Sequence, residues 1–296
     1  MRKRCFGPVL AIVAGVALVS LAQGSATAQA PLTTVKAWEP ARTPDGQPDI
    51  QGFWGTDEYA GSLETGFRDP VTVKIQGGRR VGSPAALAAG KPVSLVVDPP
   101  DGKIPYQPWA EARRREIRSR YGATGTPLTA RDVGPELSCT IGLPRIVYFA
   151  ESQVVQTPGQ VLMSWERTRE YRVIPLDGRP PLPSSVKLHM GDARGHWEGN
   201  TLVVNTANLN DWSWFDGSGS IHTDAMSLVE RFTPVDPNTL KYQVTVTDPK
   251  AFTRPWTMVF NLKRGHAEDK NYELLENSCA EGERALSTLL GGESPR

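Results

Sequence analysis

The chain has 296 residues, with 33 Lys and Arg against 32 Asp and Glu, for a formal charge of +1. So even a balance argues against nucleic acid or an anionic membrane as partner, since both are recognised through basic patches. The length allows one large or two small domains with a real core.

The N-terminus opens with "MRKR", a cationic start, followed by the apolar run "GPVLAIVAGVALVSLA" and the small residues "SATAQA". This is the pattern of a secretory signal peptide, with cleavage expected after Ala28. The apolar run is short for a bilayer span, so export to the periplasm or beyond is expected, with no membrane insertion after cleavage. Loss of Arg2, Lys3 and Arg4 takes the formal charge from +1 to −2. Two cysteines would then remain, Cys139 and Cys279, in a compartment where disulfides persist. A bridge would close a loop of about 140 residues and contribute about 5 kcal/mol in the chain-entropy picture; the alternative is two buried thiols.

Residues 29–144 are loop-rich and are expected to wrap the rest, with one helix over Pro108–Tyr121. Trp109, Ala112, Ile117 and Tyr121 mark its apolar stripe, and its five arginines are expected to face water. The preceding "IPYQPW" is a candidate lid, which makes Tyr106 a candidate substrate contact.

From residue 145 to 296 short β-type runs alternate with turn signals. "QVVQT" and "QVLMSWE" flank Pro158-Gly159; "REYRVIPL" follows; "HWEGNTLVVNT" is a hairpin turning at Glu198-Gly199-Asn200. "DAMSLVERF", "TLKYQVTVTD", "PWTMVFNLKR" and "NYELLE" complete an antiparallel meander. The expected fold is mainly β, a lipocalin-like barrel or a sandwich, because closure removes exposed edges. No internal repeat or long linker divides residues 29–296, so they are expected to form one domain.

The motifs "RTPDGQPDIQGFW", "IPYQPWA", "GHWEGNTLVVNT", "VERFTP", "DPKAFTRPWT" and "YELLENSCAE", in that order, resemble a family of secreted bacterial β-rich proteins. The resemblance implies export and a β-rich single domain and carries no activity or catalytic residue. Where this chain has His196 and Asn200, that family usually carries Arg and Asp.

The stretch "NDWSWFDGSGSIHTD", Asn210–Asp224, is far too long for a hairpin turn, and long loops in compact domains are usually functional. If it runs extended into "DAMSLVERF", then Asp216, Ser218, Ser220, His222 and Asp224 share one face with Met226, Leu228 and Phe232. A polar row leading into an apolar one suits the mouth of a cavity. Glu230 interrupts the apolar row and needs a partner, Arg254 or Arg172. His222 beside Asp224 or Asp216 is the candidate acid–base pair, with Asp211 as a further carboxylate. Trp212 and Trp214 would wall the substrate, and Arg254 joins Tyr106 among the possible contacts.

Other chemistry is weaker. "DGSGS" lacks the spacing of a nucleophile elbow, and "SSVK" follows a proline-rich loop instead of opening a helix. His189, His196, His222, Asp192 and Asp224 match no zinc or calcium spacing, so neither metal nor cofactor is expected. His266 is expected to be a solvated turn residue. The function expected is acid–base chemistry on a small aromatic or sugar-like molecule, as a hydrolase, lyase or isomerase. The alternatives are a non-catalytic ligand carrier of lipocalin type and a carbohydrate-binding module.

Overall fold

Strict alternation builds the sheet. In β10 (Ser227–Asp236) the side chains of Leu228, Glu230, Phe232 and Pro234 are buried. Leu240, Tyr242, Val244 and Val246 are their counterparts in β11 (Thr239–Thr247), and Trp256, Met258, Phe260 and Leu262 in β12 (Trp256–Gly265). Register places Phe232 opposite Tyr242 and Tyr242 opposite Phe260. Both ring pairs have centroids 4.9 Å apart, so an aromatic ladder crosses three strands on the inner face.

The computed structural model describes residues 38–56, 63–65, 74–76, 79–81, 94–124, 141–168, 170–216, 219–269 and 271–275. The expected signal peptide, Cys139, Cys279 and Ser218 lie outside the described residues.

Before the meander come β1 (Gly52–Gly55), a small hairpin of β2 (Lys74–Gln76) and β3 (Arg79–Val81), and β4 (Val96–Asp98). Among the described residues two α-helices follow, α1 (Pro108–Thr124) and α2 (Arg145–Phe149). The remaining strands are β5 (Ser152–Thr157), β6 (Gln160–Trp165), β7 (Tyr171–Pro175), β8 (Asp192–Glu198) and β9 (Thr201–Ala207). The expected turns are in place: Gly159 at φ +80 after Pro158, and Gly199 at φ +59 before Asn200, both conformations that glycine adopts without strain.

The main sheet is antiparallel, in the order β7-β6-β5-β1-β12-β11-β10-β9-β8, with β4 also on β12. β1 joins the two meanders, pairing β5 on one side and the end of β12 on the other. The sheet therefore crosses the boundary expected at residue 144. "NYELLE" contributes no strand over its described part, 271–275.

Of the two expected forms the barrel does not close, and a sandwich or an open sheet fits instead. β7 and β8 are the two ends of the sheet, and no ladder joins them. The reason lies at Gly195 of β8, where an added Cβ would sit 2.7 Å from both Ile174 Cγ2 and Leu176 Cδ2. Ile174 of β7 and Leu176 just beyond it fill the space a ladder would need. Pro175 ends β7 without an N–H to donate.

The expected stripe of α1 is displaced. Ala110, Arg114 and Ile117 are buried, whereas Trp109 is 50% exposed and donates its indole N–H to the Lys250 carbonyl at 2.8 Å. Arg114 is thus an exception to the solvated arginine face, held by Glu64 at 3.0 Å and Glu111 at 3.1 Å. His266 is likewise no solvated turn. It lies 3.0 Å from Glu151 and stacks on Tyr272 with centroids 3.3 Å apart.

Glu230 is fully buried and accepts from Arg172 Nη1 at 2.8 Å, Thr206 Oγ1 at 2.9 Å and the Tyr242 hydroxyl at 3.0 Å. Arg172 is therefore the partner that the carboxylate requires. Removing one member of such a pair leaves an uncompensated charge, which costs about 3–5 kcal/mol. We expect Arg172→Ala to lower the free energy of unfolding by about that much in a urea titration, and Arg172→Met with Glu230→Gln to restore most of it. A loss below about 1 kcal/mol for the single variant would contradict this picture.

Candidate functional site

The segment between β9 and β10 contains no strand among its described residues. It is organised instead by its own buried side chains. Phe215 is fully buried, with ring centroids 5.3 Å from His222, 5.4 Å from Trp256 and 6.0 Å from Phe252. It pins the loop onto the start of β12. The backbone then turns back, with Phe215 N–H donating to the Ser220 carbonyl at 2.8 Å.

This turn breaks the expected row of side chains. Asp216 and Ser220 are both fully buried and bond each other, Ser220 Oγ to Asp216 Oδ2 at 2.9 Å. Asp216 also accepts the Leu63 backbone N–H at 3.1 Å. Gly219 lies at φ +77 with Ile117 of α1 2.6 Å from where its Cβ would be, so no larger residue fits the turn. Asp216 thus caps backbone instead of facing His222. Asp224 points outward, 48% exposed, to Lys250 Nζ at 2.8 Å.

His222 is 5% exposed and bonded at both ring nitrogens. Nδ1 lies 3.1 Å from the Thr223 carbonyl, which can only accept, so this nitrogen carries the proton. Nε2 is then the acceptor for the Ser213 hydroxyl at 3.0 Å. Burial lowers the affinity of the ring for a proton, helped by nearby His189 and partly offset by the Thr223 bond, Asp248 and Asp211. The imidazole is therefore held neutral at neutral pH. Behind Thr223 stands Asp248, which is buried and accepts Thr223 N–H at 2.6 Å and Oγ1 at 2.9 Å. The carboxylate that orients His222 acts through a backbone carbonyl and lies 26 residues downstream.

Ser213 has a second neighbour in Gly142, just ahead of α2. A Cβ at Gly142 would sit 2.6 Å from Ser213 Oγ and 3.3 Å from His189 Cε1. The absent side chain lets the backbone reach the hydroxyl, with His189 close by. His189 Nε2 lies 2.6 Å from Glu170 Oε1, and Thr168 Oγ1 donates to the other oxygen at 2.7 Å. The His189 side chain is 26% exposed, so the cluster reaches solvent there.

The other expected residues scatter. Trp214 is buried, but Trp212 is 62% exposed, so they do not form one wall. Tyr106 packs on Phe252 and under the Arg114 guanidinium, and burial pushes its phenol well above the usual range. Arg254 forms a surface pair with Asp98 at 2.6 Å. Among the described residues no three His, Cys, Asp or Glu side chains gather as a metal site. His196 and Asn200 make surface contacts, to Glu198 at 3.1 Å and to Arg42 at 2.8 Å. Apart from this cluster, a groove of about 520 Å³ lies between the loop at Arg179 and Pro180 and the outer row Arg194, Asn205 and Val229.

Sequence reasoning missed Ser213, Asp248 and the His189–Glu170 pair. The available signal for Ser213 was a small hydroxyl between two tryptophans, nine residues ahead of a histidine.

Comparison with protein-family models, curated proteins and solved structures yields no match.

Because His222 is held neutral, the unfolded chain binds a proton near pH 6.5 that the folded chain resists. Stability from this group is complete above pH 6.5 and declines as pH falls below it. Denaturation between pH 7.5 and 5 should show wild-type stability dropping more steeply than that of His222→Gln. The difference should be at most about 1.4 kcal/mol per pH unit. Equal slopes, or a steeper fall in the variant, would refute the neutral buried ring.

Proposed function

We propose that this chain is an exported enzyme that acts on a small organic molecule by cofactor-independent acid–base chemistry, with His222 as the proton carrier. The observation that carries the reading is the state of that ring. It is neutral, its Nδ1 is tied to a carbonyl and its Nε2 is an acceptor already engaged with a hydroxyl 3.0 Å away. A general base at neutral pH has these properties. Asp248, through Thr223, takes the orienting part first given to Asp224. His189 with Glu170 supplies a second titratable ring on the solvent side. The cationic start, apolar run and small-residue site of residues 1–28 support export, and a Cys139–Cys279 bridge belongs to the same proposal.

One observation favours a second reading. The groove beside Arg194, Asn205 and Val229 has the volume of a small-ligand site and holds none of the acid–base residues. A carrier would use that groove and leave its ligand unchanged. For a carbohydrate-binding module the support is thinner, the exposed indole of Trp212 standing apart from the buried Trp214.

The test is turnover of pooled small esters, lactones and hydroxy acids, followed by mass spectrometry. We expect His222→Gln to lower kcat/KM by about 10²-fold or more with an unchanged circular dichroism spectrum. The wild-type acid limb should lie below pH 6.5, where the ring takes up its proton. Stoichiometric binding without conversion, lost on Val229→Glu and kept in His222→Gln, would establish the carrier reading instead.

A further inference from the structure

We propose that Ser213 is a covalent nucleophile and that the substrates are carboxylic esters of short acids. The inference rests on His222 as base and adds the bond it makes possible. Three observations converge on one oxygen. Its proton faces Nε2 of a ring whose other nitrogen is fixed by the Thr223 carbonyl, with Asp248 behind it. Nucleophile, base and orienting group thus stand in the sequence that activates a serine. The Gly142 backbone approaches the same oxygen so closely that no side chain fits there. His189, paired with Glu170, comes to the same point, its Cε1 3.3 Å from where a Gly142 Cβ would sit, and a polar ring there can stabilise charge developing on a carbonyl oxygen.

Substrate class follows from access. Ser213 is 4% and His222 5% exposed, so only a narrow acyl group reaches the hydroxyl. Beside Ser213 and His189 in the chain, Trp212 is 62% and Leu188 39% exposed, and Asn210 N–H is bonded to the Leu188 carbonyl at 3.0 Å. These two apolar side chains suit the alcohol part of an ester.

The steps balance without any other reagent than water. Ser213 Oγ bonds to the ester carbonyl carbon as its proton passes to His222 Nε2. The bond to the alcohol oxygen then breaks, and that oxygen takes the proton from Nε2. Water next gives a proton to Nε2 and its oxygen to the acyl carbon. The bond between Ser213 Oγ and the acyl carbon then breaks, Oγ takes the proton back from Nε2, and the carboxylic acid leaves.

The experiment treats the purified full chain with a fluorophosphonate probe, maps the adduct by tandem mass spectrometry, and follows p-nitrophenyl acetate and butyrate. We expect one adduct, on Ser213, and an initial p-nitrophenol burst equal to the enzyme concentration. Ser213→Ala should lose the adduct and about 10³-fold or more of the hydrolysis. Ser213→Cys, of similar volume, should move labelling to iodoacetamide. Gly142→Ala, which drives the hydroxyl from Nε2, should slow labelling about 10-fold or more. No adduct on wild type, or wild-type hydrolysis by Ser213→Ala, overturns the nucleophile. Turnover that survives Ser213→Ala and fails in His222→Gln leaves the base standing and the nucleophile refuted. If neither variant loses turnover, both readings fall.

Discussion

The fold depends on one buried charge having its partner. Glu230 lies in the middle of β10 among aromatic and aliphatic side chains, and Arg172 reaches it from β7, at the far end of the sheet order. The two can meet only if the sheet curls until its first strand faces its third from last. Apolar burial would favour many curvatures; a carboxylate needing three donors narrows the choice. Thr206 and Tyr242, from the strands flanking Glu230, fill the remaining positions. Curling brings the ends of the sheet together at Gly195, and apolar side chains occupy the seam.

The candidate site is set at the end of this curled sheet, and a similar economy governs it. Phe215 is the apolar anchor of the long loop, Asp216 satisfies its backbone, and beside them runs the short path Ser213–His222–Thr223–Asp248. Each member of that path fixes the next by a bond of defined direction. Asp248 holds Thr223, the Thr223 carbonyl selects the tautomer, and the tautomer directs the serine proton. Three separate stretches of chain contribute, and Gly142 and the His189–Glu170 pair bring three more.

Much of the sheet was legible because alternation is a strong local signal. The strands β5 to β12, their Pro-Gly and Gly-Asn turns, the helix beginning at Pro108 and the need of Glu230 for an arginine all follow from spacing and charge. β1 and β4 did not, since three or four residues of "GFWG" or "VVD" carry no period. The row from Asp216 to Asp224 failed for a physical reason. Glycines at 217 and 219 permit a reversal, and Asp216 found a backbone to cap before it could face a histidine. Ser213 and Asp248 were hidden because their roles depend on contacts across the fold. The stripe of α1 shifted because Arg114 was drawn inward by Glu64.

The placement of β1 has a consequence for the order in which the molecule can assemble. Phe53 pairs with Gly265 and Trp54 with Arg264, so the strand made first waits for the one made last. Until β12 is available, no backbone ladder joins β5–β7 to β8–β11. Pairings of such long range are entered late and slowly, since loop closure comes before the contacts that compensate it. During synthesis the two halves of the sheet therefore stay unjoined until the last strand emerges. The last strand to be made is thus the one that turns two meanders into a single sheet.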